Sequence, residues 1–260
     1  MTNMKKLVLK CLLMVIRYVK VLNEFFLTSL FAFIHGKPKL LPPITDETLL
    51  KPATVLAEEI RNGKLKSVDL VERYIRRMRD VQPVINAVVE DRYEEAIAEA
   101  EAADQLVASG TVTPEQLAKD KPFLGVPLTT KNCYAVKGML QDAGLVLRKG
   151  FRAPQDADCM ALLRKAGAIP LAVTNISELC MWWESYNKLH GRTNNPYDSR
   201  RICGGSSGGE GKSHCQCWLR IRCWDRHRRK HTDAGILQWH LWPQANKRSG
   251  VKQGAVSTGT

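Results

Sequence analysis

PFLGVPLTTK (residues 122–131) reads as a buried strand, MALLRKAGA (160–168) as a helix ending near Gly167, and IPLAVTN (169–175) as a second short strand. Strands that alternate with helices imply an α/β sheet with helical cover. Upstream, the chain is helical. TVLAEEIRN (54–62) predicts a short helix stopped at Gly63, a residue suited to the left-handed position after a helix. Ser67 can cap the next helix. In it Leu70, Val71, Tyr74, Ile75, Met78 and Val81 recur at helical spacing, and Arg73, Arg76, Arg77 and Arg79 read as its solvated face. An Ala- and Glu-rich helix runs from Tyr93 to about Ala108. Downstream, Asn175–Leu179 reads as a strand-to-helix turn that Ser or Asn can cap.

Residues 7–34 are mostly apolar and long enough at helical rise to cross a bilayer. Charges interrupt them. Lys10, Arg17, Lys20 and Glu24 fall on one helical face, and a central charge costs roughly 2.5–3.5 kcal/mol on insertion scales. An amphipathic helix lying in the membrane interface fits better than a span. Pro42-Pro43 ends this segment and opens a linker.

The net charge of +13 is unevenly spread: residues 211–260 hold ten Lys/Arg against Asp225 and Asp233, with four of the six Trp and four of the six His. Such a break in composition marks a boundary. Cys11, Cys133, Cys159, Cys180 and Cys203 show no disulfide-scaffold spacing, which fits a reducing compartment or buried thiols.

Two features carry chemistry. Lys131 follows the run Gly125–Thr130, so its amine sits at the end of a core strand, where burial disfavours the charged form and makes a candidate proton acceptor. The second is Gly204-Gly205-Ser206-Ser207-Gly208-Gly209-Glu210, whose glycines open backbone conformations and close approach to a substrate. Read alone, Lys131 is more readily a surface lysine, and the loop a flexible linker or phosphate cradle.

Taken together with their surroundings, GVPLTTKNCYAVKGM, AGAIPLAVTNISEL, MWWESYN, GRTNNPYD and GGSSGGE resemble the amidase signature family in order and approximate spacing, over roughly residues 50–210. The resemblance implies a mixed central sheet wrapped by helices, here incomplete, and a Ser–cis-Ser–Lys triad without metal or organic cofactor. It implies Lys131 as general base and Ser206 as the bridging serine that relays a proton from a second, nucleophilic serine. Gly204, Gly205, Gly208 and Gly209 form the supporting loop, with Ser207 holding it by hydrogen bonding. The apolar N-terminus and MWWES look most like the fatty-acid amide hydrolases of the family, implying a fatty-acid amide or related lipid substrate and a membrane-associated, intracellular protein. The oligomeric state is not legible.

In the family the nucleophile follows in a GTDIGGS-like motif that also supplies the oxyanion hole. Its position here is Lys230. The tail from residue 212 fits neither helical nor strand periodicity. Cys217, Cys223, His227 and His231 have the spacing C-x5-C-x3-H-x3-H, which invites zinc, and the basic run Arg226–Lys230 invites nucleic acid. The genetic code gives a simpler reading. Back-translated with suitable codons and shifted by one base, Trp224–His231 spells G-T-D-I-G-G-S, with serine on Lys230, and His231–Ala245 spells IRMPAFFNGIFGHKP. Tryptophan has one codon, and its shifted form always begins a glycine codon. Trp218, Trp224, Trp239 and Trp242 all fall where the family has glycine; with glycine at about 7% of residues, the chance is on the order of 2 × 10⁻⁵.

The expectation is therefore a membrane-associated segment (1–40), a linker (41–52), the N-terminal part of an amidase domain (53–211) and an out-of-frame, disordered tail (212–260), catalytically inactive and binding neither metal nor nucleic acid. The alternative is a non-catalytic lipid- or partner-binding remnant of the amidase fold.

Overall fold

The computed structural model describes residues 3–36, 38–215 and 222–223, with side chains over 9–34, 36 and 38–211. The chain divides into two units, Met1–Leu40 and Leu41–Thr260. The first is a single continuous helix, α1 (Asn3–His35). Its large apolar side chains, among them Leu12, Ile16, Leu22, Phe26 and Phe33, are exposed. Lys20 and Glu24 lie 3.8 Å apart one turn from each other. Among the described residues, no helix is long and apolar enough to cross a membrane.

In the second unit, the stretch expected to be a linker carries a short 3₁₀ helix, Glu47–Leu50, whose first turn is capped by the Asp46 carboxylate accepting from Thr48 N at 2.9 Å. Leu49 is buried, and Leu41 and Ile44 pack against the same core. Helix α2 (Ala53–Arg61) buries Leu56, Ala57 and Ile60 and ends at Asn62, with Gly63 at φ +69°. Helix α3 (Ser67–Ile85) buries Leu70, Val71, Tyr74, Ile75, Met78 and Val81, the row its periodicity predicts.

Two expectations for α3 need correction. Ser67 is the first helical residue and caps nothing: the Asp104 carboxylate accepts from Ser67 N (2.7 Å) and Val68 N (3.1 Å) instead. An anion at a helix N-terminus satisfies amides that have no partner within the helix. The Ser67 hydroxyl is committed elsewhere, donating to Gly125 O at 2.8 Å. Gly125 itself has φ +72°, and a Cβ there would collide with Ser67. Nor is Arg77 on a solvated face. It is 6% exposed, and its stem lies in the row that α3 turns inward, the guanidinium reaching toward Pro43 O. A long side chain can bury its methylenes while its head finds acceptors.

Strand β1 (Val88–Asp91), helix α4 (Tyr93–Ala108) and helix α5 (Pro114–Asp120) lead to β2 (Pro127–Lys131), helix α6 (Asp158–Lys165) and β3 (Ile169–Thr174). Short strands β4 (Tyr186–Asn187) and β5 (Gly191–Arg192) pair with each other; α7 (Gly208–Cys215) and β6 (Arg222–Cys223) follow. The main sheet runs β1-β3-β2-β6, with β2 parallel to β3 and to β6 and β1 antiparallel to β3, so the sheet is mixed. Every residue of β2 and β3 is buried. Central parallel strands covered on both faces read as apolar runs, which makes β3 and the approach to β2 (residues 123–128) conspicuous in the sequence. Helices α3 and α4 pack on each other, α4 against β3 and α3 against β2. Pairing β2 with β3 in parallel brings Lys131 level with Thr174, so both strands deliver polar groups at one end of the sheet.

Candidate active site

Lys131 is the last residue of β2 and only 3% exposed. Its Nζ lies 3.3 Å from Ser206 Oγ, although the two are 75 residues apart in sequence. Ser206 sits in the turn before α7, and the Gly205–Ser206 peptide bond is cis. An amine and a hydroxyl at this distance can exchange a proton once bound substrate tightens the contact.

A buried carboxylate fixes the loop to the sheet. Thr129 Oγ1 donates to Glu210 Oε1 at 2.9 Å and Thr174 Oγ1 to the same oxygen at 2.7 Å. Thr129 and Lys131 are two residues apart in β2 and so share one face of the strand. Glu210 therefore grips the face from which Lys131 also projects, and so fixes how far Ser206 stands from the amine.

The loop itself departs from expectation in two respects. Of its glycines, only Gly204 has a backbone closed to other residues, at φ +85°. Gly205, Gly208 and Gly209 are required for another reason: a Cβ on them would run into the Trp182 carbonyl, the Ser185 side chain and the Asn175 backbone. The support expected of Ser207 comes from Ser185, whose Oγ accepts from Gly208 N (2.7 Å) and donates to Gly204 O (3.1 Å). Ser207 contributes its carbonyl, which accepts from Gly211 N at 2.7 Å as α7 begins. Asn175, likewise expected as a cap, joins a polar wall: it donates to Thr193 Oγ1 (3.0 Å) and accepts from Asn187 Nδ2 (2.8 Å), and its carbonyl takes Gly209 N (3.1 Å). The segments around Asn175, Asn187 and Thr193 are thus knitted behind the serine loop.

Two thiols complete the surroundings. Cys133 and Cys180 have their sulfurs 3.5 Å apart. Nothing in the sequence links them, since they lie 47 residues apart without a motif. Among the described residues, no three His, Cys, Asp or Glu side chains cluster as a metal site. Lys230, Cys217, His227 and His231 lie outside the described residues, and of Cys223 only the backbone is described.

The amidase family matches residues 69–213. Fatty-acid amide hydrolase 2 of Homo sapiens is 47% identical over 196 residues, covering 74% of this chain and 36% of that protein. Fatty-acid amide hydrolase 2-A of Danio rerio is 50% identical over 177 residues, 68% and 33% of the two chains. The chain thus spans about a third of the length of these relatives. Among solved structures, a fatty acid amide hydrolase superposes with TM-score 0.63 at 25% identity over 69% of this chain and 31% of that one. The peptide amidase from Stenotrophomonas maltophilia gives TM-score 0.59 at 27% identity, over 66% and 35%.

Replacing Glu210 tests the clamp. Glu210→Ala leaves the fully buried Thr129 hydroxyl without its acceptor and Thr174 with only the Thr130 carbonyl at 3.2 Å, and is expected to cost about 1–3 kcal/mol, while Glu210→Gln, which keeps an acceptor oxygen, costs less. Urea unfolding of the two variants beside the parent chain measures this, and an unchanged midpoint for Glu210→Ala would refute the clamp.

Proposed function

The chain belongs to the amidase family, and on that premise we propose that it carries the base and relay of a fatty-amide-cleaving Ser–cis-Ser–Lys site but lacks its nucleophile, because the reading frame changes near residue 212. The observation that carries the first half is the approach of Lys131 Nζ to Ser206 Oγ at the end of a buried strand. In the complete reaction Lys131 takes the proton of Ser206 while Ser206 takes that of the attacking serine. The attacking serine then forms an acyl-enzyme, and the proton returns along the same path to the leaving amine. Backbone amides beside the nucleophile stabilise the oxyanion.

Support for the second half comes from where the likeness stops. The family match ends at residue 213, beside the point where composition changes and shortly before Trp218 and Trp224, whose codons begin glycine codons when shifted by one base. With Lys230 at the nucleophile's position, the sequence lacks the family's attacking serine, and the motif that would supply the oxyanion amides is lost with it. The chain as written does not turn over. Its similarity to proteins named for fatty-acid amide hydrolysis favours a long-chain acyl amide as the substrate of the complete enzyme.

Helix α1 supplies the membrane contact in this reading. Its apolar side chains are exposed around most of the helix, and Lys10, Arg17, Lys20 and Glu24 mark a narrow charged stripe. Such a helix lies in the interface with its charges toward the headgroups.

A serine-directed fluorophosphonate is expected to leave the purified chain unlabelled and oleamide unhydrolysed, whereas the same gene read in the restored frame gives an adduct on the serine at position 230. Labelling of Ser206 or Ser207 with turnover in the chain as written would overturn the reading. The membrane contact has its own test. The full chain is expected to sediment with vesicles of phosphatidylcholine and phosphatidylserine, and Leu22→Glu combined with Phe26→Glu to release most of it. Equal sedimentation of the variant would remove α1 as the anchor.

A further inference from the structure

The thiol pair beside Lys131 and Ser206 has no part in amide cleavage, yet its placement is specific. Cys133 follows Lys131 by two residues at the end of β2. Cys180 ends the 3₁₀ turn Glu178–Cys180, where Leu179 and Cys180 hold φ +50° and +59°. Non-glycine residues in the left-handed region cost on the order of 1–3 kcal/mol each and persist only where the surroundings impose them. Here Leu179 N donates to Ala143 O (2.9 Å) and Cys180 N to Ser177 O (2.8 Å), which fixes the turn and turns the Cys180 sulfur toward Cys133. Both thiols are partly open to solvent.

The two sulfurs differ in character. The hydrogen bond shared with Cys133 holds Cys180 well below the usual thiol range, and against the opposing effect of burial it is helped by the charge of Lys131 and by hydrogen bonds from Lys131 and Ser206. The same partnership, together with burial, pushes Cys133 up. Two thiols are therefore held in contact, with Cys180 the more acidic of the pair. That asymmetry suits an oxidisable pair with a resolving partner.

We propose that Cys133 and Cys180 are a modification site for hydroperoxides, which join them in a disulfide directly beside the Lys131–Ser206 pair. The Cys180 thiolate attacks one peroxide oxygen; the O–O bond breaks, hydroxide leaves and takes up a proton, and Cys180 becomes a sulfenic acid. The Cys133 sulfur then attacks the Cys180 sulfur, the S–O bond breaks, and water departs with the Cys133 proton. Two thiols lose two electrons, and one hydrogen peroxide becomes two waters. The sulfurs must close from 3.5 Å to bonding distance, about 2 Å. Once bonded, Cys180 no longer offers Lys131 and Ser206 a thiolate, so the Lys131–Ser206 contact loses a competing acceptor. None of this requires the nucleophile, and the chain as written is a sufficient test object.

The full chain is treated with one equivalent of hydrogen peroxide under native conditions, capped with N-ethylmaleimide and digested with trypsin without reduction. The expected product links peptide 132–137 to peptide 166–188, is two hydrogens lighter than their sum, and is split by dithiothreitol. In C133S, where a serine hydroxyl can still hydrogen-bond Cys180 but no resolving thiol remains, dimedone is expected to trap a sulfenic acid on Cys180 faster than on the exposed Cys11. Absence of the linked peptide, its equal formation in urea, or dimedone capture on Cys180 no faster than on Cys11 would each overturn the proposal.

Discussion

One carboxylate oxygen sets the geometry of this site. Glu210 Oε1 accepts from Thr129 on β2 and from Thr174 on β3, strands that are themselves hydrogen-bonded in parallel. A buried acidic group persists only where donors surround it, so the start of α7 can seat itself only when both strands are in register. The serine loop leading into α7 inherits that position. Lys131 lies on the same face of β2 as Thr129, so the distance from amine to relay hydroxyl follows from where the carboxylate is held.

The other contacts around the loop serve the same constraint. Gly208 and Gly209 lack side chains because the loop is pressed against Ser185 and Asn175, and each of these returns a hydrogen bond to the loop's backbone. The asparagine and threonine wall of Asn175, Asn187 and Thr193 satisfies its own polar groups, which is what allows it to be buried so near the centre. The Lys131–Ser206 contact is thereby held by residues that all precede position 212. In the proposed reading, the nucleophile and its oxyanion amides depend on residues that follow. In that reading, a break in frame at this point leaves the Lys131–Ser206 contact built and the attack without its atom.

Much of this was legible in the sequence because it is periodic or motif-borne. The row Leu70 to Val81 announces α3, apolar runs announce β3 and the approach to β2, and Lys131 and Ser206 stand in segments whose order and spacing are specific. What escaped depends on contacts between distant residues. Ser67 looks like a cap, but the Gly125 carbonyl takes its hydroxyl and Asp104, on α4, takes over the helix end. Arg77 looks solvated because its neighbours in the sequence are charged, whereas its row on the helix faces inward. Ser185 carries no local signal for holding a loop that begins at Gly204, and no spacing rule pairs Cys133 with Cys180.

The most direct test of the account is the nucleotide sequence of the transcript across the codons for Gly211 to Ala245. Read one base out of register, it is expected to spell Gly-Thr-Asp-Ile-Gly-Gly-Ser from Trp224, with serine on Lys230, and to continue as Ile-Arg-Met-Pro. A shifted reading that meets stop codons or an unrelated sequence there would mean that these residues were encoded as they stand, and the account of a lost nucleophile would fail.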